Sequence, residues 1–326
     1  MQNIESPEWR NSPNLIARDA IPIPRVRIQD LSVRQFYEQY RKPGRPVVIL
    51  GLANEPDWNL EFLCDKLGDR ELLCRYYAHE NRPEDKRTWT TIGSGTQTRS
   101  LPFSKYADLV RSGEAKREDI YIAKFPIGKT PLSDSPSLHQ WGKKLGFEKP
   151  VSGLNLWLGH GGHLGSLHYD TLDGTIAQLH GRKRLILFPP SQLYNLYPIP
   201  LVKHLTDGLK LRSWFAQVYA DKPEFDKFPK LEIAFQHRYD VVLEPGELLY
   251  IPAGWWHEIS TLGDGLVASV NRFWAVSPLS RTLLSWSAWR TYLGLALAMP
   301  SMLARLAWAN VQPNRQQEIE KVLRMF

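Results

Sequence analysis

His168 and Asp170, in the stretch GHLGSLHYDTLDG, and His257, in PGELLYIPAGWWH, are the residues of this chain best suited to hold a metal ion. Two neutral imidazoles and one carboxylate occupy half of a ferrous ion's coordination sphere and cancel one of its charges. The remaining positions can take an anionic co-substrate and dioxygen. Asp170 follows His168 by two residues, and on a strand that spacing turns both side chains to one face, into one cavity. His257 must then arrive from a distant strand that closes over the same cavity. The chemistry is that of a non-haem iron oxygenase, and the scaffold that must present it is a β-barrel.

The elements around these residues agree. Between 151 and 274, strand signals follow one another closely: GLNLWLG, GSLHYD, TIAQLHG, KRLILFPP, YDVVLEPG, LLYIPAG, HEISTL and GLVASVNRFW. Gly or Pro punctuates nearly every junction, the texture of a sandwich or barrel. Ahead of this core, residues 1–24 form a polar, extended arm ending in IPIPR. Residues 29–42 carry helical spacing behind Asp30 as N-cap, and RPVVILG reads as a buried strand. A second helix is expected from Asp57 to Leu67 and a strand at LLCRYYA. PEDKRTWTTIGSGTQTRS reads as a loop or hairpin near the mouth of a site. In KREDIYIAKFPIG a strand places Tyr121, Ala123 and Phe125 on one face. After Pro278 two or three helices follow. The organisation expected is an arm at 1–24, a catalytic domain at 25–277 with its core at 150–275, and a helical segment at 278–326.

The apolar run between Arg290 and Arg305 is interrupted by Pro300 and falls short of the about 20 residues a spanning helix needs. No transmembrane segment is therefore expected, and the run should pack against the barrel or a second subunit, as a homodimer contact.

Composition sets the remaining bounds. Of 326 residues, 43% are hydrophobic and 23% charged, with 12 Trp and 13 Tyr, enough for a well-filled core. Twenty-four Pro and 22 Gly argue for many turns rather than a helical bundle. The net charge of +7 admits an acidic or nucleic-acid partner, but the basic residues are dispersed, with no block longer than HGRKR, as on an ordinary solvated surface. Cys64 and Cys74 stand in no metal-type spacing and suit free thiols in a reducing compartment. The N-terminus shows no signal peptide, so the cytoplasm is the expected location.

An open metal site needs an anion and a cation to receive it. On the strand KRLILF, Lys183 shares a face with Leu185 and Leu187, and Arg184 with Ile186 and Phe188. A cation buried among leucines implies a bound anion, because an unpaired buried charge costs several kcal/mol (~3 or more). The pattern alone leaves open which of the two points inward.

Gly162, His168, Asp170, Gly174 and Gly181 follow the spacing of the first cupin motif, and Gly246, Pro252-Ala-Gly254 and His257 that of the second. Gly174 stands where the motif has a metal-binding Glu, which leaves an open triad. Thr261 stands at the second motif's terminal Asn position, which holds no ligand. HYDTLDGTIAQLHGRKRLILFPPSQ, KPEFDKFP, EPGELLYIPAGWWHEI and VNRFW together resemble the JmjC-type cupins. The likeness is to their small hydroxylase branch, which includes the asparaginyl hydroxylase of hypoxia-inducible factor. It is strong over 150–275, weaker over 20–150 and faint beyond 278.

The resemblance implies a mainly β fold: a double-stranded β-helix (cupin or jelly-roll) core with N-terminal α/β additions and C-terminal helices. It implies Fe(II) held by His168, Asp170 and His257, with 2-oxoglutarate and O2 as co-substrates. Lys183 takes the family's 2-oxoglutarate lysine position and Tyr121 its tyrosine position; Asn271 and Trp274 match positions beside the metal and co-substrate. Ser166 is the substitute for a family threonine missing at Gly165-Ser166-Leu167. Trp255 and Trp256 are expected to serve as one packing wall and one pocket lid, and His160, His163 and His180 as surface or satisfied histidines. Asp173 and Gly174 lie where the asparaginyl hydroxylase grips its substrate, but its substrate-binding Asn is absent, so asparagine is not implied. The implied activity is hydroxylation of a protein or peptide side chain. The same chemistry on a tRNA base or small molecule, or a non-catalytic metal-binding module, are the alternatives.

Overall fold

The structure, a computed structural model, describes residues 20–77, 85–92 and 96–323. Most of the arm expected at 1–24 lies outside these, as does part of the expected loop at 83–100. Among the described residues, fourteen strands form two sheets. The smaller runs in the order β1 (Ile21–Pro22), β11 (Tyr239–Leu243), β10 (Arg182–Phe188), β13 (Trp256–Leu262) and β8 (His168–Tyr169). The larger runs β2 (Arg25–Arg27), β3 (Val47–Leu50), β12 (Glu247–Ile251), β9 (Asp173–His180), β14 (Leu266–Trp274), β7 (Asn155–His160), β6 (Ile120–Pro126), β4 (Glu71–Tyr76) and β5 (Gln97–Pro102). From β7 onward the chain passes back and forth between the sheets, the winding of a cupin jelly roll.

Period-two alternation then decides what each face holds. On the larger sheet, Leu156, Leu158, Val270 and Trp274 join an apolar cluster behind it with Tyr106 and Trp141 from the N-terminal helices and Trp58 from the segment before one of them. Of the two helices expected ahead of the core, the second begins at Leu60 behind an Asn59 cap rather than at Asp57, and the first also differs in its cap. The first is capped by Ser32, not Asp30: Ser32 accepts from Gln35 N–H at 3.2 Å while the Gln35 side chain accepts from Ser32 N–H at 2.9 Å. Inside the barrel, Val48, Leu185, Leu187, Leu249, Ile251 and Trp255 fill one end and close it. Outside the smaller sheet, Ile186, Phe188, Tyr169 and Trp256 pack beneath the long insertion between β10 and β11. The two tryptophans thus face opposite ways, Trp255 donating to Gly44 O at 2.8 Å, and neither is a lid.

β6 departs from the simple alternation. Its pairing with β7 slips between Ile122 and Phe125, and Lys124 holds φ +58. The extra residue reverses the parity of the strand, so Tyr121 and Lys124 both line the cavity while Phe125 packs on the apolar cluster behind.

Beyond Pro278 the long helix Trp286–Asn310 runs unbroken through Pro300, contrary to the interruption expected from sequence. Proline removes one hydrogen bond from such a helix but does not end it when both flanks are held. Among the described residues this is the one helix long and apolar enough to cross a membrane. Polar contacts seat it on the barrel: Arg290 donates to Ile199 O at 2.6 Å and Thr291 to Tyr169 Oη at 3.2 Å.

Candidate metal centre and co-substrate cavity

His168 and His257 are directly paired across β8 and β13, so strand register brings their rings to a centroid distance of 4.3 Å. Asp170 leaves β8 on the same face, its backbone carbonyl fixed by Gly254 N–H at 2.7 Å. One ligand atom from each of the three residues lies within 4.8 Å of the others. His168 Nδ1 lies 2.8 Å from Ser166 O, and His257 Nδ1 3.1 Å from Trp255 O. Each ring therefore donates from Nδ1 and presents the Nε2 lone pair to its partners, the tautomer a metal requires. Burial pushes His257 down to about 4, with His168 adding to the effect and Asp170 opposing it, so this imidazole is neutral at pH 7. Phe215 stacks on His168 at 5.0 Å and walls the centre on its outer side. The donor set and its second contacts fit a ferrous ion.

The triad sits in a cavity of about 380 Å³. Gly174 lines it, and a Cβ there would meet nothing closer than Phe273 Cε1 at 3.6 Å, an ordinary contact, so the fourth-ligand position holds no side chain but has room for one. Lys183 is the inward cation: 3% exposed, it donates to Ser269 Oγ at 2.5 Å and Tyr121 Oη at 3.2 Å. Arg184 points outward, bound to Asp240 at 2.5 Å and Asp221 at 3.2 Å. Burial alone pushes Lys183 down to about 7; among the described residues no carboxylate offsets it. A bound dianion would supply the missing charge. Asn271 also faces the cavity, and its buried Oδ1 meets no hydrogen-bond donor among the described residues. Ser166 lines the cavity as well.

Trp274 does not join them. Odd-numbered residues of β14, Ser269, Asn271 and Phe273, face the cavity, whereas Trp274 stacks on Phe147 at 4.7 Å behind the sheet and donates to Thr175 Oγ1 at 3.0 Å. Asp173 likewise faces away, bound to Arg281 at 3.0 Å. His180 lies near the surface, 2.5 Å from Asp57. Sequence reasoning passed over Phe215, Ser269, Trp157 and the cations Arg75, Lys124 and Arg212, all of which line the cavity. Ser269 alone carried a signal, two residues before Asn271 on one strand.

Residues 33–280 match the model of the cupin-like domain family. The chain belongs to that family. Its relatives place it among the JmjC-type cupins. It is 28% identical over 276 residues to tRNA wybutosine-synthesizing protein 5 of Danio rerio, covering 76% of this chain and 74% of the relative. It is 30% identical over 254 residues to lysine-specific demethylase JMJ30 of Arabidopsis thaliana, covering 75% of this chain and 53% of the relative. It is 25% identical over 193 residues to lysine-specific demethylase JMJ31 of the same plant, covering 58% of this chain and 33% of the relative. The match thus spans about half or less of either demethylase. The open triad is a common ground for this JmjC-type chain and the resemblance read from its motifs.

Proposed function

We propose that this protein is an Fe(II)- and 2-oxoglutarate-dependent dioxygenase that hydroxylates a protein or peptide side chain. The observation that carries the reading is Lys183, buried with no carboxylate partner among the described residues, in the same cavity as the open triad. Iron and 2-oxoglutarate, when bound, supply the oxidation of a C–H bond by dioxygen, with succinate and carbon dioxide as by-products. His168, Asp170 and His257 would hold the metal on one side and leave the other free. Lys183, Tyr121 and Ser269 would receive the distal carboxylate of the co-substrate. Asn271 would direct a side-chain amide at the metal-facing end, and the apolar end of the barrel around Leu185 and Leu187 excludes water.

The charge of the cavity bears on the substrate. Among the described residues its lining holds Arg75, Lys124, Lys183 and Arg212 against a single carboxylate, Asp170. A cationic methylated lysine is poorly matched to such a lining, which supports hydroxylation over lysine demethylation. The second reading is the same chemistry on tRNA. Its support is the near-equal coverage of both chains in the match to the wybutosine-synthesizing protein, together with Trp157 and Trp214 beside these cations.

The test is succinate release by the purified protein with Fe(II), ascorbate and 2-oxoglutarate, alongside mass spectrometry for an added oxygen on co-purified peptides and RNA. His168→Ala should abolish both signals; retained turnover in that variant would remove the triad from the mechanism. A homodimer through the C-terminal helices is also proposed, supported by the exposed Trp286, Trp289, Tyr292 and Leu293.

A further inference from the structure

One buried polar cluster reaches the cavity through His163 and Thr261, which line it. Asp119 leads into β6, is 1% exposed and holds the left-handed φ of +45. Its Oδ1 lies 3.0 Å from His160 Nε2 and 2.8 Å from His163 Nδ1. His160 ends β7 and His163 lies in the turn that follows it. Thr261 of β13 fixes that turn: its hydroxyl accepts from His163 N–H at 2.8 Å and donates to His160 O at 2.6 Å. Gly161 permits the close approach, since a Cβ there would lie 1.8 Å from Gly263 O. Thr261 is also the register partner of Lys183, so one strand ties the turn to the cavity.

The His163 ring lies flat on Tyr121, with centroids 4.0 Å apart and planes 13° apart. Tyr121 also rests on Gly159, where a Cβ would come within 2.2 Å of the phenol ring. A tyrosine on a strand otherwise chooses among several rotamers. Here the imidazole covers the ring, and Asp119 prevents the imidazole from turning aside. The result is a phenol whose hydroxyl stands 3.2 Å from Lys183 Nζ.

We propose that His163, held by Asp119, is a positioning residue: it sets the Tyr121 hydroxyl beside Lys183 and thereby the affinity of the cavity for the distal carboxylate of 2-oxoglutarate. This rests on the co-substrate reading above. Burial lowers the His163 imidazole below its ordinary value, which Asp119 only partly opposes, so at pH 7 the ring acts through its shape and not as a second cation.

The experiment is calorimetric titration of 2-oxoglutarate into the anaerobic, Fe(II)-loaded full chain, with the visible charge-transfer band of the iron–keto acid chelate as second readout. His163→Leu should weaken binding about tenfold, the size of one hydrogen bond to a charged group, and leave Fe(II) affinity unchanged. His163→Phe keeps a flat ring over Tyr121 and should stay within about threefold of the wild type. Because His163 acts through the tyrosine hydroxyl, His163→Leu should cost less than about twofold more in a Tyr121→Phe background. An undiminished loss in that background, or equal losses in His163→Leu and His163→Phe, would overturn the inference. So would wild-type binding by a folded His163→Leu. If His163→Leu does not fold, Asp119→Asn combined with Tyr121→Phe reads the same coupling, and independent effects refute it. A wild-type protein that fails to bind 2-oxoglutarate overturns the co-substrate reading itself, and the role of His163 with it.

Discussion

Replacing Lys183 by Met separates what the residue costs from what it does. Its ammonium is buried, and burial alone takes it from 10.5 to about 7. At about 1.4 kcal/mol per pKa unit, the folded protein carries a penalty of roughly 4–5 kcal/mol at low pH relative to an exposed lysine. Because the folded value lies below the unfolded one, the penalty is complete below pH 7 and disappears as the pH rises toward 10.5. Methionine has nearly the same length and no charge, but it leaves the hydroxyls of Tyr121 and Ser269 without their donor, at about 1 kcal/mol each. The ligand-free variant should therefore be more stable than the wild type at pH 6–7, by about 2–3 kcal/mol, and the advantage should vanish near pH 9, about where the remaining lysine penalty equals the cost of the two hydroxyls.

Binding should move the opposite way. The same lysine must be protonated to receive a carboxylate, so the wild-type affinity for 2-oxoglutarate should fall about tenfold between pH 6 and pH 8. Lys183→Met should bind at least about 100-fold more weakly with no such pH dependence. Urea unfolding of the ligand-free proteins and calorimetry of 2-oxoglutarate across that range measure both effects. A variant that is less stable than the wild type at pH 6, or one that keeps its co-substrate affinity, would refute the argument.

Other perturbations test separate parts of the site. Gly174→Glu puts a carboxylate where Cβ has room beside the triad; it should retain iron by elemental analysis yet lose succinate release by about 100-fold or more, as the open face closes. Arg184→Met leaves Asp240 and Asp221 buried without their guanidinium; urea unfolding should show a loss of about 3–5 kcal/mol while 2-oxoglutarate affinity stays within about threefold. Sedimentation at micromolar concentration should give a dimeric mass, and a monomer would remove the proposed C-terminal contact.

The metal triad was legible in the sequence because ligand chemistry depends on residue type and strand alternation on a fixed period of two. His168 and Asp170 had to share a face, and the regular punctuation from 151 to 274 had to build a β core. Trp274 was misplaced beside the cavity although it differs from Asn271 by an odd number of residues; matching a motif position overrode the parity that sends it behind the sheet. Ser32 rather than Asp30 caps the first helix because its Gln35 partner completes a reciprocal pair that Asp30 lacks.

What the chain could not announce locally was decided by register and by distant contacts. The alternation in HGRKRLILF leaves Lys183 and Arg184 equivalent and only the resemblance favours Lys183; in the fold Asp240 and Asp221, brought by a strand and a loop far along the chain, claim the guanidinium and leave the ammonium to the cavity. The bulge in β6 that turns both Tyr121 and Lys124 inward exists only as a mismatch with β7. The Asp119 carboxylate meets His160 and His163 across more than forty residues through one strand pairing and a turn. Sequence alone determined the ligand types, the strand period and thus the open triad. Tertiary structure decided why Arg184 is turned away from the cavity, and what holds the tyrosine beside Lys183, because both depend on pairings between segments that carry no mark of one another.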